Sequence, residues 1–151
     1  MTKSKPSFTR GSELLLIFID SAALKANYDA GDDFHPKAAE LMRKIAARET
    51  QITSFVTTDY VLDEAITLTR FAHSHGKAVE LAEATLASKF VNVVYSGEGL
   101  FSDGMLIFKQ HADKEWSLTD CMSFATMKKY GVRTAFTFDA HFEQAGFATV
   151  P

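Results

Sequence analysis

Asp20, Glu64, Asp120 and Asp139 are the side chains whose types and positions best suit chemistry. Asp20 closes the apolar run Leu14-Leu-Leu-Ile-Phe-Ile19, and Asp139 closes Arg133-Thr-Ala-Phe-Thr-Phe138. Glu64 and Asp120 fall near the starts of two helical stretches. Carboxylates brought together repel one another strongly, and oxygen-rich clusters of this kind select hard cations such as Mg²⁺ or Mn²⁺. Ions about 3.5–4 Å apart can activate a water and stabilise the leaving oxygen in phosphodiester hydrolysis. Three of the acids also have a plainer role open to them. Asp20 can cap the helix that follows, Asp120 can answer a helix dipole, and Glu64 can sit solvated on a helix edge.

The elements that must position these acids are legible in outline. Residues 14–19 form a continuous apolar run, as expected of a central parallel strand buried on both faces. In open α/β sheets the ligand site lies beyond the carboxyl ends of the strands, where Asp20 would stand. A helix is predicted over residues 21–28. A turn at Asp29-Ala-Gly-Asp-Asp-Phe34 leads to a helix opened by His35-Pro36, with Ala38, Leu41, Met42 and Ile45 as its buried stripe. A strand over 52–56 precedes a helix capped by Thr57-Thr58-Asp59, with Val61, Leu62, Ala65, Ile66 and Leu68 facing inward. Glu64 interrupts that inward face, and a carboxylate buried there needs a partner or a metal.

Helices are further expected over 79–89 and 97–112, the latter packing Leu100, Met105 and Phe108 inward. A strand is expected between them, over 90–95. Thr119 is the predicted N-cap of an amphipathic helix running to Tyr130, with Gly131 as its C-cap. Residues 133–138 and 147–150 complete the strands, the last as a short edge strand. This alternation predicts an α/β fold with a parallel sheet and helices on both faces. Residues 1–12 read as a mobile polar tail and residues 13–151 as a single domain.

Composition narrows the function classes. The chain has 151 residues, 46% hydrophobic and 23% charged, which suits one soluble domain with a sizeable core. Its one cysteine, Cys121, excludes an internal disulfide and reads as a small core residue in a reducing compartment. No apolar run approaches the roughly 20 residues of a membrane span, so a cytoplasmic location is expected. The net charge of −3 does not advertise nucleic-acid binding, although a cluster of catalytic acids lowers the charge by itself. Lys128, Lys129 and Arg133 are candidate phosphate contacts, with a solvated helix end as the alternative. Gly-x-Gly-x-x-Gly, Walker and Gly-x-Ser-x-Gly motifs are absent, which leaves nucleotide-cofactor and serine-hydrolase roles without support. His73 and His75, two residues apart, do not share a helix face and offer little for zinc.

Five segments in order resemble the PIN-domain ribonucleases, in particular the VapC-like toxins of type II toxin–antitoxin systems. They are Phe18-Ile-Asp20-Ser-Ala-Ala-Leu24, Asp32-Asp-Phe-His35-Pro-Lys-Ala38, Thr57-Thr-Asp-Tyr-Val-Leu-Asp-Glu64-Ala, Trp116-Ser-Leu-Thr-Asp120-Cys-Met-Ser-Phe124 and Thr134-Ala-Phe-Thr-Phe-Asp139-Ala-His-Phe142. The resemblance spans residues 14–150. It implies a three-layer α/β/α sandwich with a parallel sheet of four or five strands. It implies that Asp20, Glu64, Asp120 and Asp139 hold Mg²⁺ or Mn²⁺ and carry endoribonuclease chemistry that leaves 5′-phosphate and 3′-hydroxyl ends. Ser21, Ser123 and Thr137 stand where the family keeps a small hydroxyl residue; hydrogen bonds behind the acids and plain capping or packing are both open to them. His141 is assigned a structural role. The resemblance further implies a homodimer and an antitoxin that covers the acidic pocket. Two other readings share the fold: a housekeeping RNA-processing nuclease without an antitoxin, and a non-catalytic RNA-binding module.

Overall fold

β1 (Leu15–Ile19) is the strand on which the sheet is built, paired on one side with β2 (Ile52–Thr58) and on the other with β4 (Thr134–Phe136). β3 (Val91–Val94) and β5 (Ala148–Val150) are the outer strands, giving the order β3-β2-β1-β4-β5 with every pair parallel. The computed structural model describes residues 14–151. The expected tail over residues 1–12 lies outside the described residues.

Between the strands run α1 (Ser21–Tyr28), α2 (His35–Ala46), α3 (Asp59–Ala72), α4 (His75–Ala87), α5 (Gly97–Gln110), α6 (Leu118–Tyr130) and α7 (His141–Gln144). Parallel neighbours need crossovers, and these helices supply them, covering the sheet as an α/β/α sandwich. The sheet has five strands, within the expected four or five. No helix among the described residues is long and apolar enough to cross a membrane.

The strand order places a topological switch point between β1 and β4. The chain moves outward from β1 through β2 to β3, then returns to the far side of β1. Connections on the two sides diverge there and open a crevice at the carboxyl ends of the strands, the usual ligand site of such sheets. Asp20 follows β1 directly, and Asp139 follows β4 three residues after its end.

Three expectations about burial are corrected. The 14–19 run is buried only in its second half: Ile17, Phe18 and Ile19 are enclosed, while Leu14, Leu15 and Leu16 are exposed. β4 pairs only with Phe18 and Ile19, so among the described residues no strand pairs with the beginning of β1 on that side. Leu68 and Phe108, expected inside, are exposed at the margins of their helices.

The third correction concerns α6, which is not amphipathic. Every residue from Asp120 to Met127 is buried, because α6 is enclosed on all sides by other elements. The hydroxyls of Ser123 and Thr126 consequently turn back onto the carbonyls of Thr119 and Met122, 2.9 and 2.8 Å away. The helix ends as expected at Gly131, which takes the left-handed φ of 67°. Cys121 is fully enclosed, and desolvation together with Asp120 pushes its thiol up to about 11, which removes it as a nucleophile at neutral pH.

α5 approaches α6 closely at Gly104. A methyl group there would run into the Met122 sulfur, with the Met122 Cα only 3.3 Å away. Gly104→Ala is expected to destabilise the fold by about 1–3 kcal/mol through overpacking, read as a lowered urea midpoint with an unchanged slope.

Candidate active site

The acids converge because local structure at each is tied to its neighbours. Asp20 has extended backbone and caps α1: its Oδ1 accepts from the Ser21 amide at 2.6 Å. Its Oδ2 accepts from the Thr137 hydroxyl at 2.8 Å, and the same Thr137 oxygen accepts from the Asp139 amide at 3.0 Å. The Ser21 hydroxyl lies 2.6 Å from Glu64 Oε1 and 3.3 Å from Asp20 Oδ1. Ser21 therefore bridges Asp20 to Glu64, and Thr137 bridges Asp20 to Asp139.

Asp120 joins through the opposite wall. α6 starts with a capping box in which the Ser117 hydroxyl accepts from the Asp120 amide, and the Asp120 carboxylate accepts from the Ser117 amide at 3.0 Å. The expected cap, Thr119, is thus displaced two residues to Ser117; Asp120 stands at the third helical position, where a carboxylate reaches back to the cap. His141 Nδ1 lies 2.9 Å from Asp120 Oδ2 and 3.2 Å from Asp139 Oδ2. With both neighbours carboxylate oxygens, Nδ1 carries the proton and donates. The backbone amide of His141 donates to Asp139 Oδ1 at 2.9 Å, which fixes the Asp139 carboxylate at the start of α7.

Burial of Asp20 has a strong electrostatic consequence. Desolvation, reinforced by the charges of Asp120 and Glu64, outweighs the Thr137 and Ser21 hydrogen bonds and raises its pKa to about 7. No lysine or arginine among the described residues forms an ion pair with any of the four acids. The side-chain nitrogen that contacts the cluster is His141 Nδ1. Asp120, Asp139 and His141 offer ligand atoms within 4.8 Å of one another, a spacing that could hold a cation; Asp20 and Glu64 lie outside that compact trio.

The PIN domain family matches residues 17–148 of this sequence. The chain is 32% identical over 135 residues to the 23S rRNA-specific endonuclease VapC20 of Mycobacterium tuberculosis, covering 89% of this chain and 98% of the relative. This chain belongs to the VapC-like PIN domains. The crystal structure of the M. tuberculosis protein, described as a sarcin–ricin loop cleaving toxin, superposes with a TM-score of 0.78 over 87% of this chain and 96% of that one. FitAcB from Neisseria gonorrhoeae shares the fold, with a TM-score of 0.60 at 15% identity over 89% of this chain and 96% of that one.

In this PIN domain the hydroxyl residues expected behind the acids divide. Ser21 and Thr137 touch carboxylates directly, whereas the Ser123 hydroxyl is spent on its own helix. His141, read from the sequence as structural, sits between two of the acids. Its one sequence signal was its place two residues beyond Asp139, at the start of a helix. Lys128 and Lys129 are exposed at the far end of α6, about 12 Å along the axis from Asp120 at 1.5 Å per residue. Arg133 precedes β4, on the sheet edge opposite the acids. All three fit the solvated reading.

A tether also emerges behind the site. The Trp116 indole N–H donates to Gln144 Oε1 at 3.1 Å, joining the segment before Asp120 to α7, one turn beyond His141. The indole is buried edge-on against Phe124, with ring centroids 5.0 Å apart. Trp116→Phe keeps an aromatic ring but removes the N–H and leaves space. The expected result is a loss of about 1–2 kcal/mol in stability and about tenfold in cleavage rate, measured by urea unfolding and single-turnover kinetics.

Proposed function

We propose that this VapC-like endoribonuclease hydrolyses phosphodiester bonds in a loop of ribosomal RNA with Mg²⁺ or Mn²⁺, and that Asp20, Glu64, Asp120 and Asp139 are its catalytic and metal-holding carboxylates. The observation that carries this reading is the linkage of four acids from separate parts of the chain, through Ser21, Thr137 and His141, without a lysine or arginine ion pair among the described residues. The donor chemistry fits a hard divalent cation, because carboxylate oxygens dominate and no lysine or arginine among the described residues pairs with them. When bound, such an ion supplies charge neutralisation at the phosphate and acidification of a water.

The chain's own residues supply the rest. Ser21 and Thr137 hold Asp20 in one orientation, the capping box holds Asp120, and the turn at Asp139 aims its carboxylate toward the same rim. His141 Nδ1 donates to Asp120 Oδ2 and Asp139 Oδ2, which holds the two carboxylates side by side. Without a cation the acids repel a phosphate, which makes turnover conditional on the ion.

The likeness to VapC20 supports a ribosomal RNA substrate, the loop its crystal structure is described as cleaving, and action in the cytoplasm. It also supports a toxin role, and the proposal includes an antitoxin that covers the acidic pocket. Exposed Leu68 and Phe71 on α3 and Phe101 and Leu106 on α5 provide apolar surface for a homodimer.

The test is to incubate the purified chain with ribosomes and total RNA in Mg²⁺, Mn²⁺ or excess EDTA and to map new ends by primer extension. Cleavage in the 23S sarcin–ricin loop with either ion, and none in EDTA, is expected. Cleavage at another RNA would overturn the substrate assignment; intact RNA throughout, or undiminished cleavage in EDTA, would overturn the nuclease reading itself.

A further inference from the structure

Phe34 is 42% exposed, yet its ring is not loose on the surface. It stacks on Phe138 with centroids 4.5 Å apart and planes 7° from parallel. Phe138 in turn packs edge-on against the fully buried Phe136, which contacts Phe55 in the core. The four rings form a column that begins inside the protein and ends in solvent. The backbone beneath Phe34 is clamped: its amide donates to Asp32 Oδ1 at 2.9 Å, Lys25 holds Asp32 Oδ2 at 2.6 Å, and His35 Nδ1 sits 2.7 Å from the Ala26 carbonyl. Phe138 lies between Thr137 and Asp139, both wired into the acid cluster. The outer end of the column is therefore apolar and held in place, and it rests on a ring whose chain neighbours, Thr137 and Asp139, belong to the acid cluster.

Charge makes the placement informative. A ribonuclease must grip RNA, and the usual grip is lysine and arginine on phosphates. This chain has net charge −3, its acids have no lysine or arginine partners among the described residues, and Lys128, Lys129 and Arg133 lie at the opposite end of the fold. A preorganised aromatic face offers the other source of affinity, base stacking, which every nucleobase can use.

We propose that the Phe34–Phe138 stack is a nucleobase platform, on which an unstacked base of the RNA next to the scissile phosphate lies against the outer face of Phe34. The proposal rests on the ribonuclease reading above and assigns that site its substrate contact. A platform of this kind selects RNA whose base is already splayed out, as in a loop, over a paired helix in which the base is committed to its own stack.

The experiment uses an RNA hairpin that the wild-type chain cleaves, and a set of the same hairpins with an abasic nucleotide at each position flanking the cut. Phe34→Ala is expected to lower kcat/KM on the intact hairpin by about 5- to 150-fold, mainly through KM, with Phe34→Trp restoring it. At one abasic position the wild-type chain should lose the same factor, and Phe34→Ala should add nothing to that loss. A second measurement needs no change at Phe34: 2-aminopurine at that position should be quenched when the hairpin binds the wild-type chain in Ca²⁺. Losses that multiply at every position, an unquenched probe, or a Phe34→Ala change confined to oligomeric state would overturn the platform. Failure of wild-type cleavage on every RNA would instead strike the underlying ribonuclease reading.

Discussion

Asp20→Asn should abolish RNA cleavage and at the same time make the metal-free protein more stable. The two effects have one cause. Asp20 is buried among other acids, and burial, aided by Asp120 and Glu64, raises its pKa from 3.8 to about 7. At 1.36 kcal/mol per unit, ionising it inside the metal-free fold costs about 4 kcal/mol. Asn carries no charge to desolvate. Its oxygen can accept from the Ser21 amide, and its amide can donate to Thr137, whose hydroxyl is free to rotate. Weaker hydrogen bonds offset part of the gain, so a net stabilisation of about 1–3 kcal/mol is expected, or several degrees in Tm.

The pH dependence follows with a definite sign. The folded carboxyl keeps its proton to about pH 7, whereas the unfolded chain releases it near 3.8, so the folded state binds more protons within that window. The contribution of Asp20 to stability is therefore complete below pH 4 and is lost as pH rises toward 7. Thermal melts of the wild-type chain in EDTA should show this decline, and Asp20→Asn should flatten it. Adding Mn²⁺ should raise the wild-type Tm and leave the variant nearly unmoved. A variant less stable than wild type at pH 7.5 in EDTA would contradict this account of the buried charge.

Asp120→Asn is expected to be equally inactive but to shift stability the other way. Asp120 is also buried, yet it occupies the first turn of α6, where free amides and the helix dipole favour a carboxylate. It accepts from the Ser117 amide and from His141 Nδ1 through one oxygen, Oδ2. Removing the charge weakens both bonds and the dipole interaction, for a cost of about 0.5–1.5 kcal/mol. On the activity side, the proposed ion would stabilise the transition state by several kcal/mol, so losing a carboxylate proposed to hold it should reduce single-turnover cleavage by at least about 10³-fold. Calorimetry with Mn²⁺ would check the cause, because weakened ion binding must accompany the lost rate. Two acids on one rim that fail alike in activity while moving Tm in opposite directions would separate the cost of burying the Asp20 charge from the hydrogen bonds that the Asp120 carboxylate makes to Ser117 and His141.

The chain's local periodicities determined much of what was found. Apolar runs, helix stripes and turn residues laid out the alternation of strands and helices, and the acids at the ends of Leu14–Ile19 and Arg133–Phe138 pointed to the carboxyl edge. These features are local, since they depend on residues a few positions apart. The C-cap at Gly131 and the helix start at His35-Pro36 were readable for the same reason.

What only the tertiary structure decided depends on groups distant in sequence. The Thr137–Asp20 bond spans 117 positions and exists because β4 returns beside β1. That return also moved His141 from a structural residue to the proton donor between Asp120 and Asp139, and brought Phe138 under Phe34. The enclosure of α6 on every face was hidden too, because its hydroxyl residues make it look amphipathic until the neighbouring elements exclude water and turn those hydroxyls back onto the helix. A strand order cannot be read from periodicity: each strand reports how its faces are buried, and its partner is chosen by the packing of the whole chain.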